Sequence, residues 1–265
     1  MPTLGGSMFI RNAIEFDYCV AEALDSLCAV CDKAVVVDAS STDGTLDLLN
    51  EVQKRNPNLM VVSGVNWECH PAYDRLRILA DIAKSYLDTE WHFMLQADEV
   101  IHESSFPHIK RAITCQDFKS YHIRRCNMFG DMNHYLRYDM EQHHKPCGDI
   151  VARLATIDNP AFGDAEGLQV DPKYTSFCLE DIIIYHYGYV RRDANHLTKT
   201  ISMQSWFHGP GSTPDSRVVE MAERGTRYEW EKMKTREMLA KRTQSHPKFV
   251  KAWAEERQLE KVPIE

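Results

Sequence analysis

An apolar run, Trp91-His92-Phe93-Met94-Leu95, ends in Gln96-Ala97-Asp98-Glu99. No Gly or Pro interrupts it, so it reads as a central strand covered on both faces. Two acids then stand at its carboxyl end, the edge at which open α/β sheets bind ligands. Carboxylates in that position suit a hard divalent cation that takes a substrate phosphate as a further ligand. A solvated turn is the plainer alternative. Asp38 repeats the pattern: it closes Ala34-Val35-Val36-Val37 and precedes Ser40-Ser41-Thr42-Asp43-Gly44-Thr45. Small residues there let backbone approach a ligand closely. The Asp38 carboxylate can accept from a base N–H or a ribose hydroxyl, while Ser41 or Asp43 caps the next helix.

The elements that must carry these acids follow from periodicity. Met8-Phe9-Ile10 is a short first strand, and Tyr18 to Cys28 is a helix with Val20, Ala23, Leu24 and Leu27 on one side. The strand ending at Asp38 comes next. Leu46, Leu49 and Val52 line a second helix, and Leu59 to Val62 form a third strand. Asp74 to Tyr86 is a third helix that leads into the strand ending at the acids. The order β-α-β-α-β-α-β is that of a doubly wound, mostly parallel sheet with helices on both faces. Later residues are less regular. Ser120 to Arg125 alternates like an edge strand, residues 126–149 read as a long loop or loose hairpin, and Val151 to Thr156 and Asp181 to Tyr187 as strands. Ser202 to Ser216 reads as a mobile aromatic loop, and the remainder to about Gln258 as charged helix broken once at His246-Pro247, with Leu239 on its apolar side. Residues 1–200 are thus expected to bind and act, and residues 201–265 to supply an acceptor-side loop and a helical C-terminal extension.

Composition narrows the classes. The chain has 265 residues, 43% hydrophobic and 26% charged, with a net charge of -8. This is ordinary for a globular protein and does not favour a general polyanion binder. No apolar run is long enough to span a membrane and no signal peptide is read. Of eight cysteines only Cys28 and Cys31 are close, and they close a helix rather than open one. Reduced core thiols in a cytoplasmic protein are expected. The GxGxxG fingerprint of nicotinamide sites is absent. A phosphotransferase of the haloacid dehalogenase type needs two Asp spaced by one residue, and Asp38 and Asp43 are too far apart.

Phe9-Ile10-Arg11-Asn12, Val35-Val36-Val37-Asp38 through Ser41-Thr42-Asp43-Gly44-Thr45, Arg77 in a helix, and Leu95-Gln96-Ala97-Asp98-Glu99 occur in this order. Together they resemble family 2 glycosyltransferases, the lipopolysaccharide-type members in particular, over roughly the first hundred residues. The resemblance implies a GT-A fold and a nucleotide-diphospho-sugar donor, a UDP-sugar being the first expectation. It implies that Ile10, Arg11, Asn12, Asp38, Ser40, Arg77, Gln96 and Ala97 lie along the nucleotide sugar. Asp98 matches the second Asp of the family's DxD and would hold a divalent metal, Mn2+ or Mg2+. Gln96 stands where the first Asp is usual, and Arg77-Ile78 lacks the usual Asn after Arg.

A fainter match continues. Arg153-Leu154 and Phe162-Gly163-Asp164-Ala165-Glu166 are similar to a family segment that carries the general base, which implies Glu166, with Asp164 as the competing choice. Tyr185-His186-Tyr187-Gly188-Tyr189-Val190-Arg191 looks like another, implying His186 as a second metal ligand. Arg191 or Arg192 would then make a charge-assisted bond to phosphate. Tyr135, Trp206 and Phe207 are candidates to stack on acceptor or sugar rings. His134, His143 and His144 fit no helix-borne ligand pair.

The function expected is a metal-dependent, inverting transfer of sugar to the hydroxyl of a glycan or other acceptor. A modified DNA base is a disfavoured acceptor at this net charge. Two other classes stay open. One is a non-catalytic nucleotide- or glycan-binding protein of glycosyltransferase descent, favoured by Gln96. The other is a sugar-phosphate nucleotidyltransferase, which should carry a Gly-rich first turn that residues 9–16 lack. The charged C-terminal segment packs on the sheet or joins a partner subunit in a homo-oligomer.

Overall fold

The structure, a computed structural model, describes residues 1–72, 74–136, 150–208, 216–225, 238–242 and 244–260. Four parallel strands form its regular half: β1 (Leu4–Ile10), β2 (Lys33–Asp38), β3 (Leu59–Val62) and β4 (Trp91–Met94), in the order β3-β2-β1-β4. The linking helices are α1 (Val20–Val30), α2 (Thr45–Arg55) and α3 (Arg75–Ser85). Alternation along β1 separates the two faces. Leu4, Met8 and Ile10 join the main core with α1 and α2, while Phe9 packs towards Leu76 of α3. Gly6 lets α1 approach β1, since a Cβ there would lie 2.6 Å from Leu27, and Gly5 makes room for the segment after α3, since a Cβ on it would lie within 2.9 Å of Leu87. The doubly wound sheet with helices on both faces is therefore present. Cys28 and Cys31 end α1 as buried free thiols, with burial pushing Cys28 up to about 12.

The strand of the opening motif is shorter than expected. It ends at Met94, because the Gln96 carbonyl accepts from the Glu99 amide at 3.0 Å and turns the chain. Asp98 sits in that turn. Glu99 begins β5 (Glu99–Ile101), which departs to pair with a later strand. Next come α4 (Phe106–Ala112), β6 (Ser120–Phe129), β7 (His134–Leu136), β8 (Ile150–Thr156), a hairpin of β9 (Ala161–Phe162) and β10 (Gly167–Leu168), and β11 (Thr175–Tyr189). β8 joins β4 antiparallel and β6 joins β8, extending the sheet as a mixed one. β11 pairs parallel to β6 and antiparallel to β5.

Three expectations change in this half. The stretch from Ser120 is an interior strand, not an edge, since β6 pairs with β7, β8 and β11. The aromatic stretch is not a loop up to residue 208: α5 (Asp193–His208) carries it and runs unbroken across residue 200. The C-terminal segment breaks near His246-Pro247 as expected but is not helical throughout the stretch before it. After α6 (Ser216–Arg224), β12 (Leu239–Lys241) adds to β7, and α7 (Lys251–Glu260) follows, burying Trp253 and Ala254 in the main core. Residues 137–149, with His143 and His144, lie outside the described part, as do residues 209–215. Among the described residues, no helix is long and apolar enough to cross a membrane.

Candidate active site

The carboxyl ends of β1, β2 and β4 coincide. Ile10 pairs with Asp38 and Ser7 with Met94, so the segments after these strands gather on one sheet edge. A cavity of ≈ 390 Å³ opens there. Its walls include Ile10, Arg11, Gln96, Ala97, Asp98, Asp164, Glu166, His186 and Trp206. Five separate parts of the sequence thus meet in one cavity.

Asp98 is the electrostatic centre. It is 6% exposed, and its Oδ2 lies 3.1 Å from Arg191 Nη2, 3.4 Å from Lys199 Nζ and 3.5 Å from His186 Nε2. Burial alone would raise this carboxyl. Lys199, His186 and Arg191 outweigh burial and hold it well below the usual carboxylate range. The Asp98 carbonyl also accepts from the Tyr187 amide at 2.7 Å, locking the turn to β11.

The donor set fits a divalent cation. His186 Nδ1 lies 2.8 Å from Asn127 Oδ1. With Nδ1 donating to Asn127, Nε2 would be the nitrogen available to a metal beside Asp98 when one is bound. Gly188 keeps the space beside them open: a Cβ there would lie 2.3 Å from His186 Nε2 and 3.1 Å from Asp98 Oδ2. Among the described residues no group of three or more His, Cys, Asp or Glu is arranged for a metal. Mg2+ is usually held by one or two carboxylates plus substrate phosphates and waters, so Asp98 would be the main protein ligand, with His186 beside it.

The other predicted residues divide. Arg11 lines the cavity, donates to the Ala39 carbonyl at 3.3 Å and lies 5.2 Å over the Trp67 ring. Asp38 is not in the lining, but its buried Oδ1 has no partner among the described residues, while Oδ2 accepts from the Ser41 amide. Asn12 is structural: its amide donates to Ser41 Oγ, its Oδ1 accepts from the Thr42 amide, and its Nδ2 donates to Glu15. Asp43 accepts from the amides of Glu15 and Thr45 and from Thr45 Oγ1, so it satisfies the start of α2 in place of the Gly44 N-cap. Ser40 is exposed and donates to Val65.

Arg77 does not reach the cavity. It stays on the outer side of α3, 3.0 Å from Asp74 and 3.8 Å from Asp81. Arg75 is the nearer cation, with its guanidinium 4.9 Å over Trp67. Arg191 is also set apart from the lining. Its three nitrogens donate to Gly188, Phe16 and Asp98, which leaves it as a fixed charge behind the carboxylate and not as a phosphate ligand. Tyr135 lies in β7 between Met128 and Ala240, packed on the main core away from the cavity. Trp206 meets Trp67 and Phe16 edge-on at 5.1 and 5.5 Å and forms one wall. Phe207 is on α5, and its side chain lies outside the described part.

Sequence reasoning missed most of α5. His196, Lys199, Thr200, Met203, Gln204 and Trp206 all line the cavity. Their spacing of three and four residues marks one face of a helix, a weak signal because that face mixes polar and apolar residues. Tyr18 was also missed, although Arg191 and Lys199 both lie 4.9 Å from its ring.

No family model matches the chain, and no curated protein matches it. Among solved structures it is similar to S. aureus TarS 1–349 in complex with UDP-GlcNAc, at 21% identity and a TM-score of 0.39, over 48% of this chain and 36% of that one. It is similar to glucosyl-3-phosphoglycerate synthase from Mycobacterium tuberculosis in complex with Mn2+, UDP and phosphoglyceric acid, at 12% identity and a TM-score of 0.46, over 80% of each chain. It is also similar to the mannosyltransferase PcManGT from Pyrobaculum calidifontis in complex with GDP-Man and Mn2+, at 11% identity and a TM-score of 0.48, over 97% of this chain and 84% of that one. In the first of these the chain spans about a third of its relative's length.

Proposed function

We propose that the cavity binds a nucleotide-diphospho-sugar and transfers its sugar, with inversion, to an acceptor hydroxyl. The observation that carries this is the meeting of a cation-ringed Asp98 with the Asp164–Glu166 turn in one cavity at the carboxyl edge of the sheet. The base of the nucleotide lies at the β1–β2 end. There Arg11, packed on the buried Trp67 ring, lines the cavity to meet the base, and Asp38 closes β2 beside it, its Oδ1 without a partner among the described residues. The diphosphate lies over Asp98, where Lys199 donates a charge-assisted bond to its oxygens. Mn2+ or Mg2+ held by Asp98 and His186, when bound, offsets charge growing on the leaving diphosphate.

Glu166 takes the proton from the acceptor hydroxyl as that oxygen attacks the anomeric carbon, with Asp164 beside it as the alternative base. One base serves a single displacement, so the anomeric centre inverts and no covalent enzyme intermediate forms. The acceptor enters along α5, past Trp206 and Met203. Donor hydrolysis tests this without knowledge of the acceptor. UDP-glucose, UDP-N-acetylglucosamine and GDP-mannose are each incubated with the protein and Mn2+, and nucleoside diphosphate release is followed. Slow release from one donor is expected. Release from none, together with no binding of UDP or GDP, rules the transferase out.

A further inference from the structure

The turn that presents Asp164 and Glu166 is held from beneath. Ala165 lies between them, 1% exposed, with φ +64°. A residue bearing a Cβ is disfavoured in that left-handed conformation and keeps it only where the surroundings enforce it. Here two donors converge on one acceptor: Gln96 Nε2 and Arg153 Nη1 each lie 3.1 Å from the Ala165 carbonyl. Arg153 is fully buried and reaches Glu99 Oε1 with its other arm at 2.7 Å. Glu99 Oε2 accepts from the Gln96 amide at 2.9 Å. A closed ring therefore joins the Asp98 turn to the carboxylate turn. With Ala165 drawn inward, the acids on either side of it line the cavity.

We propose that Gln96, backed by Arg153, is a positioning residue that sets the carboxylate turn against the donor site. This deepens the transferase reading and rests on it. Gln96 stands where the resemblance expects an Asp. An ionised Asp carries no N–H and would place a second acceptor against the Ala165 carbonyl, whereas a carboxamide donates. Gln96 is thus not a ligand that has lapsed, but a side chain with a different bond to make.

Gln96→Met keeps the length and removes the donor without adding charge. It is preferred to a change at Arg153, which would strand buried Glu99. The variant and the parent are compared for UDP and GDP affinity, for kcat of donor turnover, and for amide hydrogen exchange of residues 161–168. Affinity within about twofold, kcat lower by at least about tenfold, and faster exchange in that segment are expected, since a small misplacement of a reacting group costs up to about a hundredfold. Gln96→Asp is expected to lower kcat as well. Affinity falling in step with kcat would mean that Gln96 contacts the donor directly, and a rise in kcat on Gln96→Asp would mean that a carboxylate ligand was wanted. Either overturns the proposal, as does unchanged exchange. If the parent binds neither UDP nor GDP, the transferase reading falls, and the exchange result alone decides whether the clamp exists.

Discussion

Lys199 Nζ lies 3.4 Å from Asp98 Oδ2, and the same oxygen meets Arg191 Nη2 at 3.1 Å. The two cations differ. Arg191 has all three nitrogens engaged and is 2% exposed, so it is fixed. Lys199 is half-buried on the cavity face of α5 and is free to swing towards a ligand. Lys199→Met is therefore expected to weaken UDP or GDP binding by about tenfold, or about 1.4 kcal/mol, while leaving the parent nucleoside unaffected. Calorimetric titration of both measures the difference. An equal loss for nucleoside and diphosphate would point to damage of the α5 wall instead.

Asp164 and Glu166 both line the cavity, and kinetics separate them. Removal of a general base costs roughly 10²–10⁴-fold in rate. Glu166→Gln is expected to lose that much in kcat with donor affinity unchanged, and Asp164→Asn less than about tenfold. The reverse order would assign the base to Asp164.

Glu99 was half of the acid pair that opened the sequence argument, yet it touches no ligand space. It is fully buried and paired with Arg153 at 2.7 Å and Arg125 at 3.5 Å. Loss of Arg153 leaves Glu99 with the longer ion pair to Arg125, and breaking a buried pair costs about 3–5 kcal/mol. Arg153→Met should destabilise the fold by that order in urea denaturation. Adding Glu99→Gln should recover part of the loss, and no recovery would show that Arg153 acts through the Ala165 turn alone.

His92 couples stability to pH. It is buried in β4, with Nε2 2.7 Å from Ser7 Oγ and Nδ1 without a partner among the described residues. Burial, with a smaller push from Lys84, brings its imidazole down from 6.5 to about 3. Above pH 6.5 both folded and unfolded chains hold it neutral. As pH falls below that value the unfolded form takes up a proton and the folded form resists, so stability drops by about 1.4 kcal/mol per unit. Between about pH 7 and about pH 5 the parent should lose about 2 kcal/mol more than His92→Gln. Equal losses would show that His92 titrates normally.

How much of this was legible depends on where the chemistry lies in the chain. Asp38 and Asp98 end apolar runs, and such runs announce a parallel sheet and its ligand edge from sequence alone. His186 and the 164–166 turn came only through a resemblance, because residues 120–190 pair at long range with irregular register. The bulge in β11 and the tight turn at Gln96 leave no periodic trace. Arg77 and Asn12 were assigned to the ligand by motif, but neighbouring side chains satisfy both locally. Lys199 was missed for the opposite reason. Its helix has little apolar asymmetry, since the face over the cavity mixes His, Lys, Thr, Met and Trp.

The most direct test of the central claim is calorimetric titration of the parent and of Asp98→Asn with UDP and GDP, each with and without Mn2+. The parent should bind one of the two nucleotides at a single site, more tightly with Mn2+, and Asp98→Asn should lose the Mn2+ dependence. Binding that is indifferent to both the metal and the substitution would contradict the assignment of Asp98, and binding of neither nucleotide by the parent would contradict the transferase itself.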